Sequence, residues 1–392
     1  MSVGRLRVAI VGGGIGGLAA ANALSQRGID VRVYEQAEQL AEVGAGVAIQ
    51  PNGVRILRRL GLGVAVESRG SRWTDSQYCR LDGTVVAPML PSSHGPIDYF
   101  GMYRPDLLDM LLTNLPGDVV RTGHRCIDFE QDDEHATVVF ATGARVTADV
   151  VVGADGIHST LQPHVAAAAE PIHSGSTAYR GVIMTESVSW PPGTARLWMG
   201  EGKHFLVYPL RANQLLNLVG FVPTSARMKE SWSAPGDPAE LAREFAGWDS
   251  TVEAIIRQVT QTFRWGLYDR EPRPTWTNGR LTLLGDAAHP MLPHAGQGAN
   301  QALEDAVALA ILLEGVDRKR APAALLAYEH LRRERTAEVQ RRSRRIGTRL
   351  DAPDRQAQHR DRELAGQWSE RAWIYDYDVE AAAAAVARGG QA

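Results

Sequence analysis

The residues RVAIV (Arg7 to Val11) run without a break into Gly12-Gly13-Gly14-Ile15-Gly16-Gly17 and then into the apolar run LAAANALSQRG. A β-branched strand, a GxGxxG turn and a helix, in that order, predict the opening of a dinucleotide-binding βαβ unit. Gly12 suits the tight turn, Gly14 lets a pyrophosphate approach the backbone, and Gly17 lets helix pack closely on strand. The helix N-terminus at Ile15 then faces the phosphates with free N–H groups and a partial positive charge. A second strand, DVRVY (Asp30 to Tyr34), ends in Glu35, where a carboxylate accepts from ribose hydroxyls and disfavours the extra phosphate of NADP. These residues suit NAD and FAD alike.

Composition narrows the partners. At ~150 residues per domain, 392 residues predict two or three domains. Hydrophobic residues make up 44% and charged residues 22%, as in a soluble folded chain. With 42 basic and 45 acidic residues the net charge is -3, leaving no basic excess for a polyanion, so nucleic acid is not an expected partner. Two cysteines, Cys79 and Cys126, exclude a cysteine-rich zinc site, a disulfide scaffold and a CxxC pair, and no metal is expected. No secretory signal pattern and no run of ~20 apolar residues is present, so no membrane span is expected and the cytoplasm is the expected location.

Two further stretches separate the cofactors. Asp149 to Ser159 reads DVVVGADGIHS, a buried strand ending in Asp155-Gly156. Arg280 to Asp305 reads RLTLLGDAAHPMLPHAGQGANQALED: a strand, then Gly285-Asp286, a loop, and a glycine-opened helix. With the GxGxxG turn, these motifs resemble those of the single-component FAD-dependent aromatic hydroxylases, the flavoprotein monooxygenases that include salicylate hydroxylase and 6-hydroxynicotinate 3-monooxygenase. The resemblance runs from about Arg5 to the helical C-terminal region. It implies an α/β fold in which a Rossmann-like FAD-binding domain is interleaved with a mixed or antiparallel β-sheet substrate domain. It also implies FAD as cofactor, NADH or NADPH as transient co-substrate, and O2 delivered through a flavin hydroperoxide.

The same resemblance assigns residues. Asp155 belongs to the cofactor set and Asp286 would bond a ribityl hydroxyl, while the amides around Gly298 and Ala299 would face the flavin ring and favour its anionic reduced form. Arg104 in YRPDLL matches the arginine that contacts the flavin. The segment GAGVAIQPNG, Gly44 to Gly53, matches the loop lying against flavin and substrate, with a backbone contact near Val47. Two positions depart from the family: Gln162 stands where the DG stretch commonly ends in arginine, and Ala48 where the 6-hydroxynicotinate enzymes carry histidine. No second GxGxxG serves the nicotinamide, as expected of this family.

The domain pattern expected is 1–71 (FAD-binding, first part), 72–99 (substrate-domain insertion), 100–170 and 273–350 (FAD-binding, continued), 171–272 (substrate-binding sheet) and 351–392 (helical tail). Between Gly175 and Val222 the stretches TAYRGVIM, ARLWMG, HFLVYPL and LLNLVGFV alternate as antiparallel strands. Pro238 to Thr260 reads as helical, as does nearly everything after Ala302. The arginines from Arg332 to Arg345 read as a solvated helix face.

Ring hydroxylation needs an electron-rich ring, which a base supplies by deprotonating a ring hydroxyl, and histidine is suited to that at neutral pH. His204 and Tyr208 share one sheet face by period-2 alternation and are expected to enter one pocket. The pair resembles one that family members place above the substrate. His204 is assigned as base or hydroxyl-binding group and Tyr208 as hydrogen-bond partner of the substrate's hydroxyl or carboxylate. His294 matches a histidine seen in the same family and is assigned to orient the substrate, and His289 is expected behind the site. Arg180 and Arg211 are the cations considered for a substrate carboxylate, with a surface position favoured for both.

Three functions are compatible with these residues. The first is hydroxylation of a small phenolic or hydroxypyridine carboxylic acid, with decarboxylation where the attacked carbon bears the carboxylate. The second is tailoring or epoxidation of a larger polycyclic, polyketide or isoprenoid substrate, and the third is redox-controlled binding of a partner. The expected assembly is a monomer or homodimer.

Overall fold

The computed structural model describes residues 5–40, 45–90, 97–167, 170–225, 234–366 and 368–389. Gly44, the first residue of the expected flavin-facing segment, and residues 91–96 of the expected insertion lie outside them.

The strand Arg7–Val11 is central to a six-stranded sheet, pairing in parallel with Asp30–Tyr34 on one side and Val150–Gly153 on the other. Leu281–Leu283 extends the sheet beyond Val150–Gly153, again in parallel. Strands covered on both faces need continuous apolar runs, and Ile10, Val150, Val151 and Val152 supply them, all fully buried. Because these strands run the same way, the turns that follow them emerge along one edge. Sequence motifs far apart in the chain, the glycine turn, Glu35, Asp155 and Asp286, are thereby brought together.

An eight-stranded sheet forms the other half. Ile172–Met184, Leu215–Pro223, Lys203–Leu210 and Thr194–Gly200 pair antiparallel in that order. Thr194–Gly200 then takes Asp75–Arg80 as a parallel neighbour, with Val85–Pro88 beyond it. One face is covered by the helices Pro238–Glu244 and Ser250–Ile256, with Phe205, Val207, Phe245 and Trp248 in a shared core. His204, Leu206 and Tyr208 alternate onto the other face. The short strands Gly46–Ile49, Phe100–Tyr103 and Ser71–Arg72 form a small sheet of their own, and Arg104–Thr113 continues from Phe100–Tyr103 as a helix.

Two helices, Gly298–Leu313 and Ala321–Leu350, pack behind the six-stranded sheet. Here the arginine-rich face corrects the sequence reading. Arg341 and Arg345 are exposed, but Arg332 is fully buried, donating to Glu304 (2.6 Å) and Asp305 (2.7 Å), and Arg335 is buried and donates to Glu304 (3.0 Å). Glu304 and Asp305 lie on the buried face of the neighbouring helix, and a buried carboxylate demands a counter-charge. The i, i+3 spacing of Arg332 and Arg335 puts both on the face that supplies it. Among the described residues no helix is long and apolar enough to cross a membrane, and no group of three or more His, Cys, Asp or Glu could hold a metal ion.

Candidate active site

A cavity of about 1280 Å³ lies where the loops of the six-stranded sheet meet the eight-stranded sheet. Small-molecule pockets commonly measure ~300–1,000 Å³, so this one has room for a dinucleotide and a small second ligand together.

The first half of the wall is mostly backbone. Gly12 has φ +108°, and a Cβ there would fall 2.3 Å from the Ala154 carbonyl oxygen; a Cβ on Gly17 would fall 2.0 Å from the Gly12 carbonyl oxygen. A Cβ on Gly14 would meet nothing within 4 Å, because the turn opens there into the cavity that Gly14 and Ile15 line. The Glu35 carboxylate is pinned beside the turn, accepting from the Gly13 N–H (2.7 Å) and the Ala37 N–H (2.8 Å).

Asp155 lines the cavity and accepts from the Thr160 N–H (2.8 Å), while its buried Oδ1 has no hydrogen-bond partner. Burial pushes its carboxyl above the usual carboxylate range. Asp286 sits deep in the fold yet faces the open cavity; burial raises its pKa, against the opposing pull of His289 and Arg104. Arg104 and Val47 line the same wall. The helix Gly298–Leu313 begins at the cavity, and Gly298 and Ala299 present its positive end to it. An open glycine turn, a fixed acid beside it, an unsatisfied buried acceptor and a helix N-terminus suit the phosphates, hydroxyls and ring of a flavin dinucleotide.

Side chains build the second half. Tyr208 lines the cavity, 5.3 Å from Trp73 ring to ring, and a Cβ on Gly46 would fall 2.7 Å from its hydroxyl. Burial pushes its pKa up to about 12. His294 also lines the cavity, with its buried Nδ1 lacking a hydrogen-bond partner. Burial, then the charge of nearby His204, pushes its pKa down to about 3, so the ring is neutral at pH 7. It lies against Gly347 of the long helix, where a Cβ would come within 2.5 Å of it.

His204 is placed differently from expectation. It shares the sheet face of Tyr208 but does not line the cavity, because the loop carrying His294 covers it. Its ring stacks on Phe221 at 4.1 Å and lies 5.3 Å from the His294 ring. Its Nδ1 donates to Asp351 (2.6 Å), a carboxylate at the end of the long helix that sequence reasoning missed.

The other singled-out residues divide cleanly. His289 braces the helix by its contact with Asp305 (2.5 Å). Gln162 is buried, donates to the Ala287 carbonyl (2.8 Å) and accepts from Arg273 (3.3 Å), so a guanidinium still reaches this corner from elsewhere in the chain. Ala48 lines the cavity. Arg211 lines it too, with its charge met by Asp106 at 2.5 and 2.9 Å. Arg180 likewise lies on the wall rather than the outer surface, donating to the Gly46 carbonyl (3.1 Å) with its guanidinium over Trp265.

A family model described as an FAD binding domain matches residues 5–343. A 3-amino-4-hydroxybenzoate 2-monooxygenase of Streptomyces platensis is 40% identical over 97% of this chain and 98% of its own length. The chain belongs to the FAD-dependent aromatic hydroxylases. A 6-hydroxynicotinate 3-monooxygenase of Bordetella bronchiseptica is 35% identical over 86% of this chain and 90% of that protein. Among solved structures, a salicylate hydroxylase substrate complex superposes with a TM-score of 0.85 at 30% identity, covering 98% of each chain. FAD is the cofactor of this hydroxylase, and the glycine turn, Glu35, Asp155 and Asp286 are the residues of its own chain suited to hold it.

Proposed function

We propose that this hydroxylase acts on a small phenolic or hydroxypyridine carboxylic acid, using NADH or NADPH and O2, in the cytoplasm. The observation that carries the reading is the side-chain half of the cavity, where the Tyr208 hydroxyl and the ring of His294, whose buried Nδ1 has no hydrogen-bond partner, stand within an aromatic wall. FAD, held by the glycine turn, Glu35, Asp155 and Asp286, would supply hydride acceptance from the reduced nicotinamide and one electrophilic oxygen atom drawn from O2. The second oxygen leaves as water, and a ring C–H becomes C–OH.

The chain's own residues prepare the ring. Tyr208, protonated at neutral pH, donates to the substrate's hydroxyl or carboxylate. Neutral His294 accepts from the ring hydroxyl and passes its proton on to His204. Asp351 fixes the tautomer of His204 by accepting from Nδ1 and is itself partly open to solvent, with 22% of its side chain exposed. Loss of the hydroxyl proton raises electron density on the ring carbon that the oxygen must meet.

The test is NADH and NADPH oxidation in air by the FAD-loaded protein, against 3-amino-4-hydroxybenzoate, salicylate, 3-hydroxybenzoate, 4-hydroxybenzoate and 6-hydroxynicotinate. Product and peroxide are quantified together. At least one acid is expected to stimulate oxidation with matching product. Stimulation by none of them rejects the small-acid reading.

A further inference from the structure

The cavity wall contains a cation that no motif announces. Arg371, on the helix Trp368–Tyr375, lines the cavity together with Tyr78, Tyr99 and Tyr375. Its guanidinium donates to the Tyr78 hydroxyl (2.5 Å) and the Met89 carbonyl (3.2 Å). A guanidinium has five N–H donors in a planar fork that matches a carboxylate.

The position is fixed in advance of any ligand. Arg55 holds the carbonyls of Tyr375 (3.0 Å) and Tyr377 (2.8 Å), and Arg335 holds that of Ile374 (2.9 Å), which ties the helix end to the body of the protein. The cluster also adjoins the reacting region. Tyr99 stacks on Trp73 at 4.2 Å, Trp73 neighbours Tyr208, and the Tyr99 hydroxyl is 3.8 Å from where a Cβ on Gly296 would lie, in the loop between His294 and the helix at Gly298.

We propose that Arg371, with the hydroxyls of Tyr78, Tyr99 and Tyr375, is the carboxylate-recognition subsite, through which the C-terminal helix selects aromatic acids over neutral phenols. The ring then lies against Trp73 and Tyr99 with its hydroxyl toward Tyr208 and His294. This rests on the proposed function, since it requires a substrate that carries a carboxylate.

The test compares FAD-loaded wild type, R371Q and R371K, titrated through the flavin absorbance with 3-amino-4-hydroxybenzoate and with its carboxamide. R371Q is expected to raise Kd for the acid ~10- to 150-fold, the loss of a charge-assisted pair, with the carboxamide within ~3-fold of wild type and R371K between the two. Equal loss for acid and carboxamide, or an unchanged acid Kd, overturns the assignment. Should R371Q lose its flavin, Y78F and R371K provide the readout, each required to lower the acid-to-carboxamide preference by ~3-fold or more. If wild type binds and oxidises no aromatic acid, the proposed function falls and the subsite with it. If wild type turns over the acid and R371Q binds it as well as wild type does, the subsite alone falls.

Discussion

Around Gly12 to Gly17 the cavity wall is main chain, held by contacts between neighbouring turns; around Tyr208, His294 and Arg371 it is side chain, gathered from a strand, a loop and a C-terminal helix. The first region offers N–H groups and a helix end, which any sequence with the right glycines presents. The second offers particular atoms, so under the proposed function its specificity would change with single residues while the fold stays put. Substitutions in the two regions should therefore fail in different ways: loss of cofactor in the first, loss of chemistry with cofactor retained in the second.

The largest expected effect is in the backbone region. Gly12→Val places a side chain where φ is +108° and where even a Cβ would fall 2.3 Å from a carbonyl oxygen, a strain of at least ~3 kcal/mol. The variant should purify with little or no flavin, as read from the 450 nm to 280 nm absorbance ratio. Full flavin content would break the contrast at its stronger end.

In the side-chain region His204→Ala should keep FAD yet lose coupled hydroxylation by ~10²- to 10⁴-fold, the range of an acid-base group. Unchanged turnover at neutral pH would remove His204 from the proton path. Asp351→Asn should cost less, ~10- to 100-fold in kcat, because it acts only by holding His204. Its KM should stay within a few-fold of wild type, and a loss confined to KM would assign Asp351 to substrate binding instead.

The smallest effect is on stability. His294 has a folded pKa of about 3, below the ~6.5 of an unfolded histidine, so the unfolded chain binds the extra proton between those values. The contribution is fully present above pH 6.5 and is lost as pH falls toward 3, by about 2 kcal/mol between pH 6.5 and 5. Denaturant titrations should show His294→Asn with a correspondingly flatter decline over that window. Parallel pH profiles for the two proteins would place the His294 ring in contact with water.

What could be read from the sequence follows the same division. The glycine turn, Glu35, Asp155-Gly156 and Gly285-Asp286 are contiguous motifs whose spacing is dictated by local strand-turn-helix geometry, and parallel strands bring their ends together. Period-2 alternation likewise located the sheet face of Tyr208. The misplacements arise where distant segments converge. Nothing near His204 shows that the His294 loop lies over it, and nothing in the spacing of Arg332 and Arg335 shows the buried acids of a neighbouring helix. Arg371 is one arginine among many on C-terminal helices, and only the packed fold shows that it opens on the cavity.

The most direct test of the account is a single-turnover reaction of the reduced, FAD-loaded protein with 18O2 in the presence of the aromatic acid that best stimulates oxidation. The expected result is a product carrying one 18O atom in a new ring hydroxyl, in near-equal amount to the flavin reoxidised, with little peroxide. Reoxidation that returns all the label as hydrogen peroxide, with the acid recovered unchanged, would contradict it.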